Sequence, residues 1–131
     1  MTTTAAASGM RRYTGTYPAE AVQVRHARAA LAELFRGCAR ADDAILIASE
    51  FATNSVLHSA SRAGGEFTLR AEVRHDHIRV EVEDAGGPWD GGPRDDSRPH
   101  GFDVVAAVVG SQNWGIDGDS SGRIAWARLG R

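Results

Sequence analysis

The chain has 131 residues, 42% of them hydrophobic and 24% charged, which is the size of one globular domain around a single core and leaves no room for a second. A net charge of −2 excludes a general nucleic-acid binder, whose affinity comes from concentrated positive surface. All 15 basic residues are arginine and none is lysine, which excludes a P-loop, a eukaryotic-type protein kinase and a Schiff-base enzyme, each built around a lysine.

If such a chain handles a phosphorylated ligand, metal, backbone amides and arginine must hold it. Cys38 is the only cysteine, so an internal disulfide is impossible and a reducing, cytoplasmic setting is expected. No apolar run approaches the ~18 residues that span a bilayer, so no membrane partner is expected. Residues 1–9 are small and polar and are expected to form a disordered tail before a domain over 10–131.

In chain order, the Thr and Tyr content of Met10 to Tyr17 predicts a short edge strand. Pro18 suits a helix start, and Val22, Ala29, Leu31, Leu34 and Phe35 recur at near-helical spacing, predicting a helix over about Ala19 to Arg36 that Gly37 stops. Asp42 and Asp43 suit the first turn of a second helix, whose apolar run continues to about Ala60. After Gly64 and Gly65, Phe67-Leu69-Ala71-Val73 and Ile78-Val80-Val82 alternate with polar residues and predict a hairpin of strands covered on one face. Ala85 to His100 shows no periodicity and is rich in glycine and proline, which predicts a mobile loop over a site. A short helix from Gly101 to Gly110 and strands over Gln112 to Ile116 and Arg123 to Leu129 complete an α+β sandwich of two layers, a mainly antiparallel sheet with helices on one face.

Within the second helix, Glu50 and Asn54 stand one turn apart and share a face. A carboxylate and a carboxamide on a largely buried helix cost free energy unless something satisfies them, and a divalent cation with its water and phosphate oxygens would do so. Taken alone, Glu50 is better read as a solvent-exposed carboxylate, and Asp84 as a turn residue bonding its own backbone before Gly86. His58, one turn beyond Asn54, has no second ligand beside it, and a helix-end hydrogen bond is its simplest account.

Three segments together resemble the GHKL ATPase superfamily. The run around Glu50 and Asn54 resembles its N-box, Val80-Glu81-Val82-Glu83-Asp84-Ala85-Gly86 its G1 box, and Pro99-His100-Gly101-Phe102-Asp103 its G2 box. The resemblance covers roughly residues 10 to 130 and is strongest to the single-domain anti-sigma-factor serine/threonine kinases. It implies a Bergerat-type ATP-binding fold with ATP and Mg²⁺ as ligands. Asn54 would hold the metal, Glu50 would act as general base, Asp84 would receive the adenine amine, and Gly86, His100, Gly101 and Phe102 would contact the nucleotide. It further implies a cytoplasmic regulator of a sigma factor, phosphorylating an anti-anti-sigma antagonist and able to form a homodimer.

Two departures from the family pattern stand out: Pro99 replaces the first glycine of the G2 box, and Ile124 stands where a threonine near the adenine is usual. They favour a second reading, a non-catalytic protein-binding module with weak ATP binding. A third, a metal-dependent hydrolase using Glu50 and His58, lacks further ligands. A complete histidine kinase is not expected, since there is no room for a two-helix dimerisation domain carrying the phosphoacceptor histidine.

Overall fold

A computed structural model describes residues 10–58, 64–85, 101–110, 112–119 and 122–130. Their elements run β1 (Arg11–Pro18), α1 (Ala21–Leu34), α2 (Ala41–His58), β2 (Glu66–Val73), β3 (His77–Asp84), α3 (Gly101–Val109), β4 (Trp114–Asp119) and β5 (Gly122–Gly130). The strands form one sheet in the order β1-β2-β3-β5-β4, with every neighbouring pair antiparallel. Period-two alternation decides which side of it is covered. Phe67, Leu69, Ala71 and Val73 of β2 and Ile78, Val80 and Val82 of β3 are buried, while the residues between them are partly or fully exposed. Covering one face of an antiparallel sheet and leaving the other wet is the common solution for hairpin topologies.

The helices form the second layer. α2 packs on β2, β3 and β5, α1 on β1 and α2, and α3 on β4, β5 and α2. Ala44, Ile47, Ala48, Phe51 and Ala52 of α2 are all at most 2% exposed, so α2 is the central core helix. Its start carries Asp42 and Asp43 in the first turn, where negative charge stabilises a helix N-terminus. Gly37, at φ 85°, and Gly64, at φ 89°, take the left-handed backbone that ends the first helix region and precedes β2.

Helix one differs from its expected course. Pro18 closes β1, and α1 opens at Ala21 after an extended Glu20 with φ −128° and ψ 144°. Its buried stripe is Ala27, Leu31 and Leu34. Val22 is 50% exposed and Ala29 is also exposed, because the stripe through Ala27, Leu31 and Leu34 turns both of them toward the opposite side of the helix. The expected tail at 1–9 and loop at 86–100 lie outside the described residues. Among those described, no helix is long and apolar enough to cross a membrane.

Candidate functional site

Ser55 and Asp84 are the buried polar residues among those described, 2% and 9% exposed. They are bonded to each other: Ser55 Oγ donates to Asp84 Oδ2 at 2.7 Å. The bond ties α2 to the last residue of β3. It exists because the phase that buries Val80 and Val82 carries Asp84 to the same covered face. Antiparallel register places Arg123 of β5 opposite Asp84, and Arg123 Nη2 lies 3.7 Å from Asp84 Oδ2 with side-chain exposures of 12% and 6%. That separation makes an ion pair and is too long for a hydrogen bond.

Asn54, immediately before Ser55, is half-buried. Its Nδ2 is buried and finds no hydrogen-bond partner among the described residues. Most such groups in folded proteins are satisfied, and a buried amide left without one costs about 1–3 kcal/mol. An Asn side chain also exchanges its oxygen and nitrogen by turning half a revolution about its terminal bond. The residue is therefore held in place by a helix with a buried donor that lacks an acceptor among the described residues. Glu50, one turn earlier on α2, is half-buried as well.

These residues bring together the two segments that sequence spacing singled out. Glu50 and Asn54 stand on the helix that Ser55 fastens to Asp84. Gly101 opens α3 as expected, and α3 packs against α2 through its fully buried Val105 and partly buried neighbours. Phe102 occupies the first turn of α3. Gly86 and His100 lie outside the described residues, as does Pro99, and the side chain of His58 is also outside them.

One expectation is corrected. Ile124 does not stand beside Asp84: register pairs it with Glu83, on the face away from the helices. The strand neighbour of Asp84 is Arg123. The apolar pattern of β5 does not reveal this phase, since Ile124 and Trp126 alternate with Ala125, Ala127 and Leu129; strand pairing sets it. Ser55 was passed over for a different reason: it lies about 100° round the helix from Asn54, and only the position of Asp84 reveals its use.

The donor set is sparse. Among the described residues no three His, Cys, Asp or Glu side chains lie together as a metal cage, so a cation here would depend on ligand oxygens beyond Asn54. Mg²⁺ behaves in this way, keeping several waters and binding through few protein oxygens plus substrate phosphates. The residues present fit that mode. A cavity of about 280 Å³ bounded by Arg40, His77, Val108, Asn113 and Arg128 opens at the other end of β3 from Asp84, so it is separate from this constellation.

The family described as histidine kinase-like ATPase domain matches residues 17–123, a stretch that contains α2, β3, α3 and Arg123. No curated protein gives a significant match to the chain.

Proposed function

The chain belongs to the histidine kinase-like ATPase domain family, an ATP-binding family, and from that premise we propose that it is a Mg-ATP-dependent regulator of the anti-sigma-factor type that phosphorylates a serine or threonine on an antagonist protein. The observation that carries this reading is the buried, unpartnered amide of Asn54 beside the Ser55–Asp84 bond. A helix and a strand end are locked together there, and the donor left over on Asn54 calls for an acceptor oxygen, which the phosphates or metal-bound waters of Mg-ATP would bring while the amide oxygen serves the metal. In this reading Asp84 accepts from the adenine amine. A carboxylate there rejects guanine, whose carbonyl would face it.

Mg²⁺, when bound through the Asn54 oxygen and the phosphates, supplies charge neutralisation at the transferring phosphoryl group. Glu50 accepts the proton of the attacking hydroxyl. The hydroxyl oxygen forms the new bond to the γ-phosphorus as the bond to the β,γ-bridging oxygen breaks, leaving phosphoprotein and ADP. With no lysine anywhere in the chain, phosphate charge falls to the metal, arginine and the backbone amides at the start of α3. The partners in this proposal are a sigma factor and its antagonist, with a homodimer as the assembly and the cytoplasm as the setting.

Isothermal titration with ATP, with and without Mg²⁺, tests the binding half. A transfer assay to a cognate antagonist, or slow ATP hydrolysis, tests the catalytic half. Glu50→Gln is expected to keep nucleotide affinity and to lower turnover by roughly 10²- to 10⁴-fold, and Asn54→Ala to impair both. Tight ATP binding by a parent protein that never turns over would reject the kinase and leave a non-catalytic binding module. Ile124 no longer supports that second reading, since it lies on the opposite face of the sheet from Asp84.

A further inference from the structure

The cavity of about 280 Å³ at the far end of β3 from Asp84 lies where several elements begin or end: His77 opens β3, Gly130 closes β5, Val109 closes α3, and Arg40 directly precedes α2. Several of its polar groups serve the fold. Arg40 donates through Nε to Asp43 at 2.8 Å and through Nη2 to the Val108 carbonyl at 3.4 Å, and Asn113 Nδ2 donates to the Val109 carbonyl at 2.8 Å. These last two contacts cap carbonyls that a helix C-terminus leaves open.

Two features have no such use. The first is a pair of opposite charges that line one cavity without meeting. Arg128 is exposed, and among the described residues no hydrogen bond or ion pair engages its guanidinium. Register sets it opposite Arg79, which is already bonded to Glu81, and like charges directly opposite each other in a sheet are destabilising. Asp76 also lines the cavity, with Oδ1 2.7 Å from His77 Nδ1, a contact that holds its carboxyl below the usual carboxylate range and so keeps it charged. The second feature is backbone. β4 begins at Trp114, opposite Ala127, and β5 runs past it to Gly130. The Arg128 N–H donates to the Asn113 carbonyl at 2.9 Å, but the Asn113 N–H turns away to the Gly110 carbonyl at 3.3 Å. In an antiparallel ladder both main-chain groups of a residue face one neighbour, and the side repeats every second residue. The Arg128 carbonyl and the Gly130 N–H therefore face the side that β4 leaves uncovered. Space beside Gly130 is open, since a Cβ there would meet no atom within 4 Å.

We propose that this cavity binds a small aliphatic α-amino acid, with its carboxylate on the Arg128 guanidinium and the Gly130 N–H, its ammonium on Asp76 and the Arg128 carbonyl, and its side chain against Val108 and Val109. A zwitterion matches an unpaired cation and a carboxylate in one site, whereas a simple anion would be repelled by Asp76. Arginine holds a carboxylate through two parallel N–H donors. The volume lies close to the lower bound of roughly 300 Å³ for ligand pockets, which restricts the ligand to a small one, and the partly buried Val108 and Val109 supply its apolar wall. The inference is independent of the ATP reading, since Asn54, Ser55 and Asp84 do not line this cavity.

Calorimetric titration of the full chain with L-valine tests it, beside valinamide, which lacks the carboxylate, and 3-methylbutanoate, which lacks the amine. Valine is expected to bind, and each analogue about tenfold or more weakly, the usual loss when a charged group goes without its partner. Arg128→Met, at an exposed position, is expected to bind valine about tenfold less tightly and no longer to prefer it to valinamide. Asp76→Asn is expected to lose the preference for valine over 3-methylbutanoate. No binding of valine, leucine or alanine up to about 10 mM overturns the proposal, as does either analogue binding as well as valine. A folded Arg128→Met with the affinity of the parent also overturns it, because valine then sits elsewhere. Nucleotide enters none of these titrations, so failure of ATP to bind would overturn the function proposed above and leave this site standing.

Discussion

Along β3, Glu81 and Glu83 face the open side of the sheet, where Arg70 donates to both at 2.7 Å, whereas Asp84, one residue further, turns under the helices and meets Ser55 and Arg123. The chemistry is nearly the same and the setting is opposite. On the open face charges are abundant and pair with each other: Arg74 with Glu72, Arg79 with Glu81, and Arg79 also over the ring of Trp126 at 5.1 Å. Water competes for each of these groups, so any one pair contributes little. On the covered face a polar group is an exception that must find a partner or a ligand. Position relative to the helices, more than residue type, makes a carboxylate informative.

Four measurements can break or sharpen that contrast. The largest effect is expected from Phe51→Ala, which empties a site 1% exposed at the centre of the helix layer and should lower unfolding free energy by about 3–5 kcal/mol in urea denaturation. A loss below about 1 kcal/mol would mean that α2 is not the central core helix. Ser55→Ala comes next. Removing the donor leaves a buried carboxylate oxygen without its hydroxyl, so about 1–3 kcal/mol is expected, and a neutral result would show that Asp84 does not need α2.

On the open face, Arg70→Ala removes two ion pairs at once and is nevertheless expected to cost less than about 1 kcal/mol, with a smaller effect at high salt. A loss equal to that of Ser55→Ala would erase the distinction between the faces. The smallest effect is on pH dependence. Burial, and then the contact with the Tyr13 hydroxyl, push the Tyr17 phenol well above its ordinary value of 10.0. The folded chain therefore keeps this proton after the unfolded chain has lost it. Stability is expected to be level below the ordinary value and to fall as pH rises through it and beyond. Tyr17→Phe should flatten that decline in alkaline denaturation, and an unchanged slope would assign it to other groups.

Much of this architecture was legible in the sequence because period-two and period-3.6 patterns report burial directly. The β2–β3 hairpin follows from Phe67 to Val82, and the helix around Phe51 from its apolar run. Asn54 and Asp84 were singled out through their motifs, and α2 and β3 do meet where Ser55 bonds Asp84. What escaped was lateral placement. Arg123 and Ile124 are adjacent in the chain, and only strand pairing decides that the first, not the second, lies beside Asp84. Ser55 escaped because its partner is 29 residues away. The opening of α1 escaped too, since Pro18 is as compatible with a strand end as with a helix start.

The strand order β1-β2-β3-β5-β4 contains two pairs joined by short links, β2–β3 and β4–β5, and two seams between distant segments, β1–β2 across α1 and α2, and the central β3–β5, which must wait for α3 and β4 to be threaded between its halves. Hairpins close quickly, while pairings between distant segments carry a larger entropic cost and form later. Asp84 ends one side of the central seam and Arg123 begins the other, so the two meet only when the sheet is nearly complete. A ligand bound at this corner would find nothing to grip in a half-folded chain. It would slow the rate at which the native chain opens and leave the rate at which it folds almost untouched.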